Sequence, residues 1–319
     1  MSDSTTATAK TPDPFRFDFL GKRTIAAVVS IALMIASILS LIVQGLNLGL
    51  DFTEGSEVEV ALAEAVPAEA VREQLTAAGF EGAVVQNFGS DRELRIRMPV
   101  QAGIEQASTG DRILEALAAS YPGTDLLQSN FVGPAVGEEL RDDGGLALLA
   151  ALIVVMIYIL IRFTKQFAVG AVAALVHDVL IVLGLFSLFR WTFDLPALAA
   201  LLAVIGYSLN DTIVVSDRIR ENFRRIRRGD SVTVINRSLN QTLGRTLVTS
   251  LTTLFVLLAL LFAGGEVIRS FALALTFGVL VGTYSSIYVV SNVLLWMNIR
   301  REDLLEPIKE GADDQPLVP

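Results

Sequence analysis

Residues 205–222 read IGYSLNDTIVVSDRIREN, and they follow the uncharged run LPALAALLAV at 195–204. This stretch passes from apolar residues into a group of arginines, which predicts a membrane-spanning helix that emerges near Asp217 and Arg218. Asp211 lies about two turns earlier, roughly 9 Å at ~1.5 Å per residue, and therefore within the hydrocarbon. A carboxylate at that depth costs at least about 2.5 kcal/mol to insert. We therefore expect the side chain to face protein or water and to have an interaction partner.

The next apolar segment carries a polar stripe that can supply this partner. Its members recur at intervals of 4, 3, 4 and 3, which places them on one face of a helix: Ser238, Thr242, Arg245, Thr249 and Thr252. On the fourth span, Asn210 precedes Asp211, and a smaller polar group surrounds the acid: Tyr207, Ser208 and Thr212. We expect Asp211 and Arg245 to pair within the membrane. The pair is either a static structural contact or a switch that takes up a proton when the two residues separate.

The composition assigns the chain to the membrane proteins. Hydrophobic residues make up 52% of the 319 residues, and the mean hydropathy is +0.56, far above a soluble globular protein. Apolar runs of spanning length predict an α-helical membrane protein with six transmembrane helices, at 24–43, 145–162, 167–189, 195–216, 245–263 and 269–297.

Lysine and arginine determine the predicted orientation. Most of them fall on one side of the six spans: Lys10, Arg16, Lys22, Arg23, Arg162, Lys165, Arg218, Arg220, Arg224, Arg225, Arg227, Arg228, Arg237, Arg300, Arg301 and Lys309. The short loops opposite contain only Arg190 and Arg269. The positive-inside rule therefore predicts a multi-pass inner-membrane protein with both termini cytoplasmic. The cytoplasmic parts are the tails 1–23 and 298–319 and a basic loop at 217–244, with arginines spaced as in an amphipathic surface helix.

Segment 44–144 is predicted to form an outer, periplasmic domain. Val58, Val60 and Leu62 alternate with acidic residues as in a half-buried strand. The following segments predict the order β-α-β-β-α-β, the ferredoxin-like α+β motif, with its second helix at 104–119. Gly133 and Pro134 lead into the second span as a hinge or a plain linker. The net charge of −9 and the acidic outer segment argue against nucleic-acid binding, and the inner arginines are interpreted as topology determinants and as contacts to membrane lipids or to a partner.

The chain contains no cysteine and a single histidine, so neither a cofactor nor a metal site is predicted. That histidine, His177, stands beside Asp178 inside the third span. Ionisable residues at such positions indicate either a functional site or hydrogen bonds that hold helices together. An intramembrane aspartyl protease that uses Asp178 and Asp211 is disfavoured, because Asp211 follows Leu209 and Asn210 rather than glycines.

Four motifs together resemble one known family. They are GLNLGLDFTEG after the first span, FVGPAVGEEL before the second, HD in the third and IGYSLNDTIVVSDRIREN through the fourth. They look like the SecF branch of the SecD/SecF family, in the resistance-nodulation-division superfamily. The resemblance extends from about residue 16 to 300. It implies an accessory subunit, not an enzyme, that associates with SecD and the SecYEG channel and uses the proton-motive force to promote preprotein export.

The resemblance also assigns roles to residues. The acid of the family's NDT motif corresponds to Asp211 and the arginine of its G-R-T segment to Arg245, and both are implicated in proton transport. Two positions depart from the family pattern: Glu54 stands where a glycine is common, and Ser216 where phenylalanine is common. Glutamate tolerates a positive φ far less than glycine, so this departure bears on the backbone conformation at Glu54.

Two other functions are compatible with the sequence. One is a proton-coupled exporter of small molecules or lipids, although such proteins usually join two six-span halves in one chain. The other is a non-transporting scaffold in which Asp211 and Arg245 form a static pair that stabilises a partner.

Overall fold

A computed structural model of the chain describes residues 17–100, 108–226 and 230–304. Its long helices are α1 Arg23–Gln44, α4 Pro134–Arg162, α5 Lys165–Leu188, α6 Leu195–Arg225, α7 Ser231–Ala263 and α8 Arg269–Trp296. All six are long and apolar enough to span a membrane. The predicted α-helical membrane architecture is confirmed. The predicted tails before residue 17 and after 304, the start of the helix predicted at 104, and Arg227 and Arg228 lie outside the described residues.

The six helices divide into a buried set and a peripheral set. In their most apolar stretches, 61% of the residues of α5 and 50% each of α6 and α8 are buried, against 17%, 11% and 17% for α1, α4 and α7. A helix that is apolar all round but buried on one side exposes its other face to lipid or to another subunit. The peripheral helices therefore leave a large apolar surface available.

Helices α6 and α8 pack closely at two glycines of α8. A Cβ added at Gly278 would lie 2.1 Å from Val204 Cγ2, and one added at Gly282 would lie 3.1 Å from Ser208 Cβ. Small residues four apart allow such close backbone approach in membranes. This contact positions Ser208 against α8 at mid-membrane.

The domain between α1 and α4 contains the four-stranded sheet that the sequence predicts. Its elements are β2 Gly55–Ala61, α2 Ala68–Ala77, β3 Val84–Phe88, β4 Ser90–Met98, α3 Thr109–Ala118 and β5 Asp125–Val132. The strand order is β3-β4-β2-β5 and all neighbours are antiparallel, as in a ferredoxin-like fold. Residues of β2 and β4 such as Val58, Val60 and Ile96 are completely buried against the two helices.

Two very short strands join the domain side of the helix bundle. β1 Asn47–Leu48 pairs in parallel with β6 Thr192–Phe193, and the Leu195 backbone N–H donates to Asp51 Oδ2 at 2.9 Å. Arg97 of the sheet donates to the Leu48 carbonyl at 3.0 Å. The segment after α1 therefore connects the sheet to the start of α6. Strands of two residues carry no periodic signal, so the sequence does not predict them.

The Glu54–Gly55 departure has a structural explanation. Gly55 has φ +135°, and a Cβ there would lie 2.2 Å from the Met98 carbonyl oxygen. Among the described residues, the positive φ values outside glycine belong to Arg190 and Asn298, so Glu54 has an ordinary backbone conformation. Of positions 54 and 55, only the second therefore requires glycine in this chain.

The structure differs from the prediction at two junctions. The basic segment predicted as a loop with a surface helix continues α6 to Arg225 and begins α7 at Ser231. Charged residues favour helix as readily as apolar ones once a span has nucleated it. Likewise, α4 begins at Pro134, eleven residues before its predicted span, because proline suits the first turn of a helix. Gly133 alone is the extended residue between β5 and α4.

Candidate functional site

Asp211 is placed by α6 within the predicted span, nearer to the end that emerges at Asp217 than to the start at Leu195. It lies 16 residues into that helix, roughly 24 Å from its start at ~1.5 Å per residue. The residue is only 3% exposed, and no described residue hydrogen-bonds to its Oδ2. Two side chains of α7 interact with the carboxylate: Ser250 by a hydrogen bond and Arg245 through its positive charge.

Further hydroxyl groups near Asp211 on α6 and α7 also lack partners. Within the described parts of the chain, no hydrogen bond reaches four buried oxygens: Tyr207 Oη, Thr212 Oγ1, Ser216 Oγ and Thr246 Oγ1. Buried polar atoms normally have partners, so each exception calls for an explanation, such as a functional role or a bound water. The oxygens of this group, with Asp211, form what we call the Asp211 cluster.

The polar stripe of α7 is rotated from its predicted position. Its buried residues follow a spacing of four: Ser238, Thr242, Thr246 and Ser250. Arg245 and Thr252 are exposed and Thr249 is half-buried. Thr242 and Thr249 hydrogen-bond to carbonyls of their own helix. The sequence analysis missed Thr246 and Ser250, although an i, i+4 series through Ser238 contains both.

Asp211 and Arg245 lie on adjacent helices but are not joined by an ion pair. Both residues lie within the described ranges, and no side-chain nitrogen of Arg245 lies within 4.0 Å of a carboxylate oxygen of Asp211. Arg245 instead occupies the exposed edge of α7, from which it acts on Asp211 through its charge. Asn210 is exposed on another side of α6 and does not join the cluster.

The second buried carboxylate, Asp178, has a complete set of partners. Its Oδ2 accepts hydrogen bonds from Ser208 Oγ of α6 at 2.5 Å and from Ser285 Oγ of α8 at 2.8 Å. Its Oδ1 lies 2.9 Å from His177 Nδ1. Asp178 is 0% exposed. It therefore connects α5, α6 and α8 at mid-membrane, and Ser285 is a partner that the site predictions did not include.

His177 is 1% exposed and its ring stacks at 6.2 Å from that of Tyr284. Its Nε2 is buried and has no hydrogen-bond partner among the described residues. The same part of the chain contains no group of three His, Cys, Asp or Glu residues able to hold a metal ion.

Comparison with known proteins connects this geometry to a family. Residues 113–300 match the family "Protein export membrane protein SecD/SecF, C-terminal", and residues 39–66 match the SecD/SecF GG motif. The protein translocase subunit SecF of Pseudomonas aeruginosa is 47% identical over 302 residues, covering 94% of this chain and 97% of that protein. The chain belongs to the SecF family. The SecF of Vibrio alginolyticus is 47% identical over 91% of this chain and 93% of its own length.

The SecF fold is also found in solved structures. The crystal structure of SecDF, a translocon-associated membrane protein from Thermus thermophilus, matches with a TM-score of 0.82 and 40% identity over 91% of this chain. SecDF in a Super-membrane-facing form matches at 0.67 with 41% identity over the same 91%. This chain spans 40% of each of those longer chains. At equal coverage, this chain therefore superposes more closely on the first of these two structures.

Proposed function

We propose that this chain is the SecF subunit of a Sec protein translocase. Together with SecD and the SecYEG channel, it uses the proton-motive force to promote the export of preproteins. Family membership supports the export role, and the distribution of lysine and arginine supports an inner-membrane orientation with both termini cytoplasmic. In this orientation the ferredoxin-like domain lies on the outer side, where the preprotein emerges.

The observation that carries the proposal is the unpartnered oxygen of Asp211. A buried carboxylate with all its oxygens bonded is a structural element, whereas one with a free oxygen can accept a proton without breaking a hydrogen bond. The neighbouring Tyr207 and Thr212 hydroxyl groups also lack partners. The Asp211 cluster therefore has the hydrogen-bonding capacity that proton transfer requires.

Arg245 supplies the charge that couples protonation to movement. When Asp211 is ionised, it attracts Arg245 and holds α7 against α6. When a proton from the outer side neutralises Asp211, that attraction ends and α7 can repack. One proton moved inward releases about 2.3 kcal/mol per 100 mV, so a few protons can drive a conformational cycle of the complex.

The exposed face of α7 is the proposed contact with SecD. Arg245 lies at the edge of this face, and only 17% of the most apolar stretch of α7 is buried within the chain. A SecD helix packed there would enclose Arg245 and complete the proton site.

The junction of β1 and β6 is the proposed route to the outer domain. It connects the start of α6 to the sheet through Asp51 and Arg97. A shift of α6 at Asp211 would therefore displace the sheet. The displaced domain would hinder the preprotein from sliding back, and no covalent chemistry is needed.

The test compares Asp211→Asn with Asp217→Asn in vesicles that contain the full complex. Both changes remove one carboxylate from α6, but Asp217 is exposed. We expect Asp211→Asn to abolish proton uptake and to lower driven export to the level without a proton gradient, while the complex still assembles. Asp217→Asn should retain both activities. If Asp211→Asn retains proton uptake and driven export, Asp211 is architectural and the chain is a scaffold for its partner.

A further inference from the structure

A cavity of about 620 Å³ lies among the helices, and no residue of α7 lines it. Its walls come from α1, α4, α5 and α8, and nearly all of them are apolar. Ile31, Val169 and Val176 line it and are 57%, 43% and 41% exposed. The cavity is therefore continuous with the lipid-facing surface and opens sideways into the membrane.

The cavity extends from the middle of α5 to the side of the bundle where α1 begins and α8 ends. His177 lines its deep end, about halfway along α5, whereas Asn292 and Leu160 line it near the end of α8 and the end of α4. A slot of this length and polarity fits a hydrocarbon chain, because apolar surface is favourably covered by apolar groups.

Basic residues follow or precede the outermost lining residues of the cavity by a few positions in the chain. Lys165 lies three residues before Ala168, Arg162 two residues after Leu160, and Asn292 donates to the Arg23 backbone carbonyl at 3.3 Å. Ala168, Leu160 and Asn292 all line the cavity. A basic pocket between membrane helices attracts anionic lipid headgroups, at about 1 kcal/mol per lysine or arginine near the surface.

We propose that an anionic phospholipid binds in this cavity. One acyl chain lies between α1, α4, α5 and α8, and the phosphate contacts Arg23, Arg162 and Lys165. The lipid packs against α4, which follows β5 after the single residue Gly133. The bound lipid therefore supports the helix that carries the outer domain, at a site separate from the Asp211 cluster.

The first experiment measures lipid binding to the purified full chain by native mass spectrometry, with phosphatidylglycerol and phosphatidylcholine of identical acyl chains. We expect one phosphatidylglycerol to bind in preference. Arg23→Gln/Lys165→Gln should weaken it about 30-fold and leave phosphatidylcholine unchanged. The control Arg225→Gln/Arg237→Gln removes two charges on the same side, away from the cavity, and should bind as wild type. Equal binding of both lipids, or equal losses in variant and control, would overturn the proposal.

The second experiment tests the acyl-chain slot. Ala173→Phe places a ring inside the cavity and should abolish retention of both lipids, whereas Val154→Phe, on the lipid-facing side of α4, should not. Because the chain has no cysteine, a photo-crosslinker on Val172→Cys reports the occupant in native membranes. A crosslink to phospholipid supports the proposal. A crosslink to a partner protein shows that a helix fills the cavity and contradicts it.

Discussion

Asp178 and Asp211 are both buried acids within membrane-spanning helices that pack together, yet their surroundings are opposite. Asp178 accepts hydrogen bonds from two serines and pairs with His177. Asp211 has an oxygen without a partner, and its arginine lies at the edge of the bundle. Burial alone does not distinguish a structural carboxylate from a proton carrier. Under the proposed function, the state of its hydrogen bonds does.

The same contrast appears in how α6 packs. Its Ser208 side lies against α8 at Gly278 and Gly282, where backbones approach closely. Its Asp211 side faces α7, whose most apolar stretch is only 17% buried. One side of α6 is thus rigidly packed, and the other leaves room for a partner and for movement. Three changes, from the largest expected effect to the smallest, test this comparison.

The largest effect is expected from removing the structural carboxylate. Asp178→Ala leaves Ser208, Ser285 and His177 without their acceptor, and we expect a loss of about 3 kcal/mol in the free energy of unfolding. Asp211→Ala breaks far fewer contacts, so its cost should stay within about 1 kcal/mol. Unfolding of the purified protein in detergent measures both. Equal losses for the two variants would show that the acids are equivalent.

A smaller effect is expected at the close helix contact. Gly278→Ala places a methyl group where Val204 lies 2.1 Å away, and overpacking of this kind costs about 2 kcal/mol. The matched control is Gly206→Ala on α6, because nothing lies within 4 Å of its added Cβ. The control should be neutral or slightly stabilising. The same unfolding assay tests the pair, and a neutral Gly278→Ala would mean that the α6–α8 contact is loose.

The smallest effect is expected from single hydroxyl groups. Ser285→Ala removes one of the hydrogen bonds to Asp178 and should cost about 1 kcal/mol. Thr246→Val removes a hydroxyl that has no partner among the described residues, so its stability should change by less than about 0.5 kcal/mol. If the Asp211 cluster carries protons, Thr246→Val should still slow proton uptake in vesicles. Wild-type uptake would place Thr246 outside the proton route.

The sequence by itself determined the six spans, the ferredoxin-like domain and the presence of a buried acid at Asp211. These depend on local quantities: the length of apolar runs, the alternation of β2 and the cost of a charge in hydrocarbon. Periodicity also indicated that α7 carries a polar stripe facing α6. Periodicity could not predict the rotation of that helix about its axis. That rotation leaves Arg245 exposed and buries Thr246 and Ser250.

Only the tertiary structure decided which buried acid has hydrogen-bond partners for both of its carboxylate oxygens. The partners of Asp178 lie 30 and 107 residues away in the chain, and whether they meet depends on the depth and rotation of three helices. The β1–β6 pairing and the cavity lined by α1, α4, α5 and α8 have the same origin. Sequence patterns show which residues of each helix must be buried, whereas packing determines which neighbouring helix buries them.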